Sequence, residues 1–214
     1  MKRLSLIAGL AIAAAVSAPA HAQSCQGYTP FSVGKLRGNG DLSMADHATA
    51  YGASLAFGQV KPGLFGGVAI DGTKFDGVDQ TAKSFTFAGG LSVPVASMKG
   101  LEFCPVADFT HSSGPNVPQF DESANAFSIG GAFGRAIAST PTLDIVPFAD
   151  LRLVHTSVSV NNVSASDNSG MLGLGAGIVF SKTMTLRPAV FIPIDETGAS
   201  SVFAISLGFS FGGR

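Results

Sequence analysis

Charged side chains are scarce in this sequence of 214 residues, since Asp, Glu, Lys and Arg make up only 13% of it whereas 46% is hydrophobic. Tryptophan is absent, there are only two tyrosines, and beyond the first 22 residues no apolar run is long enough for a membrane helix. The lack of a basic excess argues against a nucleic-acid partner. A chain this apolar without a helical span is expected to place its apolar surface on short strands.

The first 22 residues have the pattern of a secretory signal. Lys2 and Arg3 give a basic start, residues 6–16 form an apolar stretch too short to span a bilayer, and AHA at 20–22 is a small-x-small cleavage site. The chain is therefore predicted to be exported. The predicted parts are a signal peptide, 1–22, cleaved after Ala22, and a single exported domain, 23–214.

Short stretches that alternate between bulky and small residues recur along the exported part. The last of them, SVFAISLGFSF at 201–211, places every bulky side chain on one face of an extended strand, because successive side chains point to opposite faces. We predict ten strands of this kind, near 28–37, 46–58, 64–74, 82–95, 101–111, 122–136, 143–158, 169–180, 185–194 and 201–211.

The predicted connections alternate in length. Tight connections fall near 59–63, 96–100, 137–142 and 181–184. Longer, more polar connections fall near 38–45, 75–81, 112–121 and 159–168. The connection near 195–200 is short but belongs to this set by its order. Short turns at one end and longer loops at the other are typical of outer-membrane barrels. We therefore predict an all-β fold, a transmembrane antiparallel up-and-down β-barrel of about ten strands, with eight strands as the alternative.

The two faces of the predicted strands differ in chemistry. One face carries bulky apolar residues such as Phe87, Phe127 and Leu153, and the other carries small or polar ones such as Thr86 and Gly130. In a soluble barrel the bulky face would fill the interior and the outer face would be rich in Lys and Glu. The scarcity of charge predicts instead that the bulky face meets lipid and that the small face lines a narrow lumen.

Several charged residues fall on the predicted lumen face. The candidate lumen residues are Glu102, Asp108, Asp144, Asp150, Arg152 and Arg187. Two interpretations stay open. The charges either pair with one another and hold the barrel together, because charges away from water persist when paired, or they form a constriction that selects solutes.

The signal peptide, the alternating hairpins and a final strand whose last bulky residue is Phe211 together resemble the small outer-membrane β-barrels of the OmpA-like and porin-like type in Gram-negative bacteria. The resemblance implies an outer-membrane location in contact with lipid and lipopolysaccharide. It also implies that the barrel-assembly machinery reads the terminal aromatics, here Phe209 and Phe211, although three residues follow them.

The resemblance implies fold and location rather than an activity, and the leading hypothesis is a non-enzymatic barrel with a structural, surface-contact or small-pore role and no cofactor. A dedicated narrow solute channel is the alternative, and the sequence indicates no oligomeric state. An enzyme is a further alternative because of two His-x-Ser pairs, His111 with Ser113 and His155 with Ser157.

On a strand, each His-x-Ser pair would share one face. With an acid such as Glu122 or Asp167, the pair would have the logic of acyl transfer and resemble the lipid A deacylases of the outer membrane. That family has Asn after the serine, whereas Gly114 and Val158 stand here. We therefore expect no enzymatic activity.

The two cysteines are too few for a structural zinc site, and no metal cluster is visible in the sequence. Cys104 lies three residues after Leu101, on the lumen face near the predicted periplasmic mouth. Cys25 follows the cleavage site closely and should lie at the same mouth. A disulfide between them would suit an oxidising periplasm and would tuck the N-terminal segment into the opening, with two free buried thiols as the alternative.

Overall fold

Within the described residues, the fold consists of twelve strands and one short turn of 3₁₀ helix. The computed structural model describes residues 24–28, 36–59, 63–98, 100–114, 122–161, 163–194 and 200–211. The 3₁₀ turn is Ser24–Gln26, and the strands are β1 (Leu36–Ala45), β2 (Ala48–Gly58), β3 (Leu64–Phe75), β4 (Thr81–Leu91), β5 (Val93–Pro94), β6 (Leu101–Ser113), β7 (Glu122–Arg135), β8 (Ala138–Ser139), β9 (Leu143–Val160), β10 (Val163–Phe180), β11 (Met184–Pro193) and β12 (Val202–Phe211). No helix in these ranges has the length and hydropathy to cross a membrane. The predicted signal peptide lies outside the described residues.

Ten long strands close into an antiparallel barrel. Each long strand pairs with its neighbours along the chain, and β1 pairs with β12 from Leu36 opposite Phe211 to Met44 opposite Phe203. The short β5 extends β4 along β6, and β8 extends β7 along β9. The prediction of an all-β barrel is confirmed, and the barrel has ten long strands rather than eight. We call the end where β1 begins and β12 ends the proximal end, and the opposite end the distal end.

The prediction for the first strand is wrong. A strand was expected near 28–37 and a loop near 38–45, whereas β1 occupies Leu36–Ala45 and Tyr28 lies inside the barrel. The stretch GNGD at 38–41 has turn-forming residues, but here Asn39 and Asp41 hydrogen-bond in the lumen. The connection from β1 to β2 is consequently a two-residue turn, which leaves His47 with a positive φ of 64°.

A second predicted loop, near 159–168, is also absent. The strands β9 and β10 pair continuously up to Val160 opposite Val163, so their hairpin is closed by a two-residue connection. Each of these strands has 18 residues, and β11 pairs with β10 only from Met171 onward. The hairpin therefore extends past β11 at the distal end.

The predicted division into two faces is confirmed. Bulky side chains of the outward face are exposed, as with Phe87 (53%) and Leu153 (68%), whereas inward residues such as Thr86 are buried. Soluble proteins rarely expose so continuous an apolar wall. The inner face is less uniformly small than expected, because aromatic side chains also fill the lumen, namely Phe65, Phe75, Phe148 and Phe191.

Candidate functional site: the lumen and the segment that crosses it

Residues 24–28, which we call the lumen segment, are buried inside the proximal end of the barrel. Cys25 and Cys104 are joined by a disulfide with a Cα–Cα distance of 6.0 Å. The bond lies in an apolar cluster with Phe65 and Val106. The segment is thus attached covalently to β6 at one point.

The lumen segment runs from one side of the barrel to the other. The Ser24 backbone N–H donates to Glu102 on β6 (3.2 Å), and Tyr28 lies against Arg37 on β1 (4.4 Å from guanidinium carbon to ring centre). In the ring of ten long strands, β1 lies opposite β7 and four strands from β6. Five buried residues therefore bridge walls that share no backbone hydrogen bonds.

Two glycines of the wall make room for this path. A Cβ atom at Gly134 on β7 would overlap the Ser24 carbonyl, and one at Gly177 on β10 would overlap the Gly27 carbonyl. Gly27 itself has a positive φ of 82°, which favours glycine. Both wall glycines therefore support the lumen segment, because a larger residue would occupy the space of its backbone.

Tyr28 is the centre of a cation–π cluster. Its ring lies beneath the guanidinium groups of Arg37 (4.4 Å) and Arg187 (5.4 Å), and Arg187 also lies over Phe148 (4.3 Å). Arg187 Nε donates to the Gln26 carbonyl oxygen at 2.7 Å. Aromatic faces attract desolvated guanidinium groups, so these contacts hold the segment against the β1 and β11 walls.

A second charged cluster lies near mid-height, on the walls formed by β6, β7 and β9. Arg152 donates to Asp108 (2.6 Å) and, through two nitrogens, to Asp150 (2.6 and 2.9 Å), while the Ser128 hydroxyl donates to Asp108. All three ionic side chains are buried. Buried charges are tolerated when paired and hydrogen-bonded, and this network meets both conditions.

The other candidate lumen residues also face inward. Glu102 accepts from Ser24 and from the Ser92 hydroxyl (3.1 Å), and Asp144 is buried. Sequence reasoning missed Tyr28, Arg37, Asn39 and Asp41, all of which contribute to the lumen. The misplaced first strand hid them. The in-phase polar pattern of Arg37, Asn39 and Asp41 was the signal that could have found them.

The His-x-Ser pairs face outward at the distal end and are not joined to an acid. His111 Nδ1 bonds to Asn125 Oδ1 (2.9 Å), and His155 Nδ1 bonds to Asn168 Oδ1 (2.8 Å). Glu122 is buried on the inner face, away from the outward serines. Within the described ranges, no group of three or more His, Cys, Asp or Glu side chains is placed to hold a metal ion.

Solved structures with the same architecture are barrels of the bacterial envelope. The β-domain of the Bordetella autotransporter BrkA is 14% identical, with 84% of this chain and 100% of that domain covered and a TM-score of 0.54. The fold is that of an outer-membrane β-barrel.

Two further outer-membrane barrels align at lower TM-scores. The translocator domain of the autotransporter NalP from Neisseria meningitidis is 10% identical, with 98% and 96% of the two chains covered and a TM-score of 0.49. The N-terminal barrel domain of Pseudomonas aeruginosa OprF is also 10% identical, with 82% and 96% covered and a TM-score of 0.40. No protein-family model matches the sequence, and no curated protein does so either.

Proposed function

We propose that this chain is an exported, non-enzymatic barrel of the outer membrane whose lumen segment closes the proximal, periplasmic end. In this proposal the protein acts through its structure and its external surface rather than by passing solutes. The observation that carries the proposal is the lumen segment, which is held by the Cys25–Cys104 disulfide and crosses from β6 and β7 to β1.

The outer wall supports the location. A strand of ten residues is about 33 Å long, and at a tilt near 40° it spans about 25 Å, the height of the apolar band on outer-membrane barrels. Most of the apolar side chains on that wall are phenylalanine and aliphatic residues, with Tyr51 and Met44 among them. A barrel that exposed these residues to water would aggregate.

Conductance of the purified protein in planar lipid bilayers tests the proposal. We expect the oxidised protein to show little or no conductance, and C25A/C104A to show frequent openings, because the lumen segment can then leave the wall. His47→Ala, an exposed residue of the β1–β2 turn, serves as the control variant. A large, steady conductance from the oxidised protein would overturn the closed-lumen role.

A narrow solute channel is the second candidate, and the charged walls favour it. With the lumen segment displaced, Asp108, Arg152 and Arg187 would border an open path and discriminate between ions. Ion selectivity that changes on Asp108→Asn would support this candidate over the closed barrel.

We further propose that the chain's end is read during barrel assembly. Phe211 and Phe209 face outward at the proximal end of β12, where Phe211 lies opposite Leu36 at the closing seam. Phe211→Ser should block insertion, whereas Phe203→Ser, on the same face at the distal end of β12, should insert normally. Equal insertion of Phe211→Ser and wild type would contradict this role.

A further inference from the structure

The outer wall carries a continuous polar surface at its distal end, across β4, β6, β7, β9 and β10. We call this surface the headgroup patch. It consists of Lys83, His111, Ser113, Ser123, Asn125, His155, Ser157, Ser159, Ser164, Ser166 and Asn168. Its members are adjacent through the strand register, as in the row that joins His111, Asn125, Ser157 and Ser166.

The patch begins where the apolar wall ends. On β4, β6 and β7, the residues one outward position closer to the proximal end are Phe85, Phe109 and Phe127, whose side chains are 37%, 43% and 49% exposed. On β9 the border lies between Leu153 and His155. In a membrane the patch therefore lies at the depth of the outer-leaflet headgroups. Tyrosine and tryptophan, which usually lie at this depth, do not form the border here, since the chain has only two tyrosines and no tryptophan.

The charge of the patch suits an anionic headgroup. Lys83 is exposed within it, and the described outward positions of these five strands contain no carboxylate. The carboxylates of these strands all lie on the inner-face register, at Glu102, Asp108, Glu122, Asp144, Asp150 and Asp167. A phosphate group approaching the outward face meets a cation and hydroxyl donors. The nearest carboxylate, Asp167, lies on the opposite register, where it accepts a hydrogen bond from the Asn168 backbone N–H.

The two histidines are held in a defined orientation. An amide oxygen only accepts hydrogen bonds, so Nδ1 of His111 donates to Asn125, and Nδ1 of His155 donates to Asn168. The Nε2 atoms are left to other partners. Nε2 can accept from a sugar hydroxyl when the ring is neutral and can donate to a phosphate when the ring is protonated.

We propose that the headgroup patch binds the phosphorylated sugar headgroup of a glycolipid of the outer leaflet. Lys83 contacts a phosphate, while His111, His155 and the serine hydroxyls contact the sugars. This assignment rests on the proposed outer-membrane location. It explains why the polar side chains beyond the apolar border of this wall are neutral or basic.

Titration of the folded, detergent-solubilised protein with fluorescent lipopolysaccharide tests the assignment, with phosphatidylglycerol micelles as a second probe that offers phosphate without an amino-sugar. H111A/H155A and Lys83→Gln should each bind lipopolysaccharide about tenfold more weakly and phosphatidylglycerol almost unchanged. The matched controls His47→Ala and Arg135→Gln, whose residues lie outside the patch, should bind both lipids as the wild type does. Wild-type affinity of the patch variants for lipopolysaccharide, or equal losses for both lipids, would overturn the assignment.

Gel mobility with and without heating separates this inference from the proposed location, because a closed barrel migrates differently until it is unfolded. A wild-type protein that never shows this shift, or that is recovered from the soluble periplasm, contradicts the barrel role. Intact barrels that lack lipopolysaccharide binding contradict only the headgroup patch. If H111A/H155A fails to fold, N125A/N168A frees both imidazoles and should weaken lipopolysaccharide binding in the same direction.

Discussion

The proximal and distal halves of the lumen are built differently. The proximal half contains a disulfide, a segment of chain and the cation–π cluster of Arg37, Tyr28 and Arg187, with the Arg152 network above them. Uncharged side chains predominate in the distal half, in clusters around Phe75 and Phe191 and in a hydrogen bond between Thr86 and Thr110 (2.8 Å). The backbone ladder alone closes the wall at both levels. The disulfide and the cation–π cluster at the proximal end additionally hold the lumen segment, whereas the Arg152 network joins β6 and β9.

Removing the disulfide should have the largest effect on this difference. C25A/C104A is expected to lower the free energy of unfolding by about 4 kcal/mol, because the bond closes a loop with a sequence separation of 79. Urea unfolding in detergent, followed by circular dichroism, measures the change. Reduced wild-type protein should match the variant. A wild-type unfolding curve for the variant would mean that the proximal half is not reinforced.

Breaking the Arg152 network should come next. Arg152→Met leaves Asp108 and Asp150 buried without their cation and is expected to cost about 3 kcal/mol of unfolding free energy. Adding D108N/D150N should recover part of this loss, because no charge of this network then remains buried without a partner. The exposed Arg135→Met provides the matched control in the same unfolding assay. Equal unfolding free energies for Arg152→Met and Arg135→Met would show that the network does not stabilise the barrel.

Filling the space between the wall and the lumen segment should have a smaller effect on stability. Gly177→Val places methyl groups where the Gly27 carbonyl lies, and we expect a loss of about 2 kcal/mol together with faster reduction of the disulfide by dithiothreitol. Gly40→Val is the control, since the space around its Cβ position is open. Unchanged reduction kinetics in Gly177→Val would show that the segment does not rest on this glycine.

The smallest effect is expected in the distal half. Replacing both partners of the threonine pair, in T86V/T110V, should change the unfolding free energy by less than about 1 kcal/mol, because neither hydroxyl is left unpaired. Thr86→Val alone should cost more than the double variant, since it leaves the buried Thr110 hydroxyl without its partner. A double variant that is less stable than the single one would show that the distal half depends on this bond.

The wall of the barrel could be predicted from the sequence because alternation is a local signal. Phe87, Phe127 and Leu153 were placed on one face by their spacing, and all three are exposed. The strand bounds followed wherever turn residues separated the alternating runs, as between β3 and β4.

The lumen could be predicted only in part, because turn-forming residues are ambiguous in a polar interior. GNGD at 38–41 was interpreted as a loop, yet in β1 Asn39 hydrogen-bonds to Ser54 inside the lumen. The polar residues of 159–168 were misinterpreted in the same way on the outer wall, where Asn168 bonds to His155. The path of residues 24–28 depends on contacts with β7, β10 and β11, which lie far along the chain. Such long-range contacts leave no periodic signal in the sequence.

The Cys25–Cys104 bond also bears on the order of assembly. It places β1–β5 within one covalent loop, whereas β7–β12 remain outside it. A chain oxidised before insertion would reach the membrane with its N-terminal strands already tied together, and the pairing of β12 with β1 would be the last long-range step. The seam between Leu36 and Phe211 would then be the one place where the wall could still open to lipid.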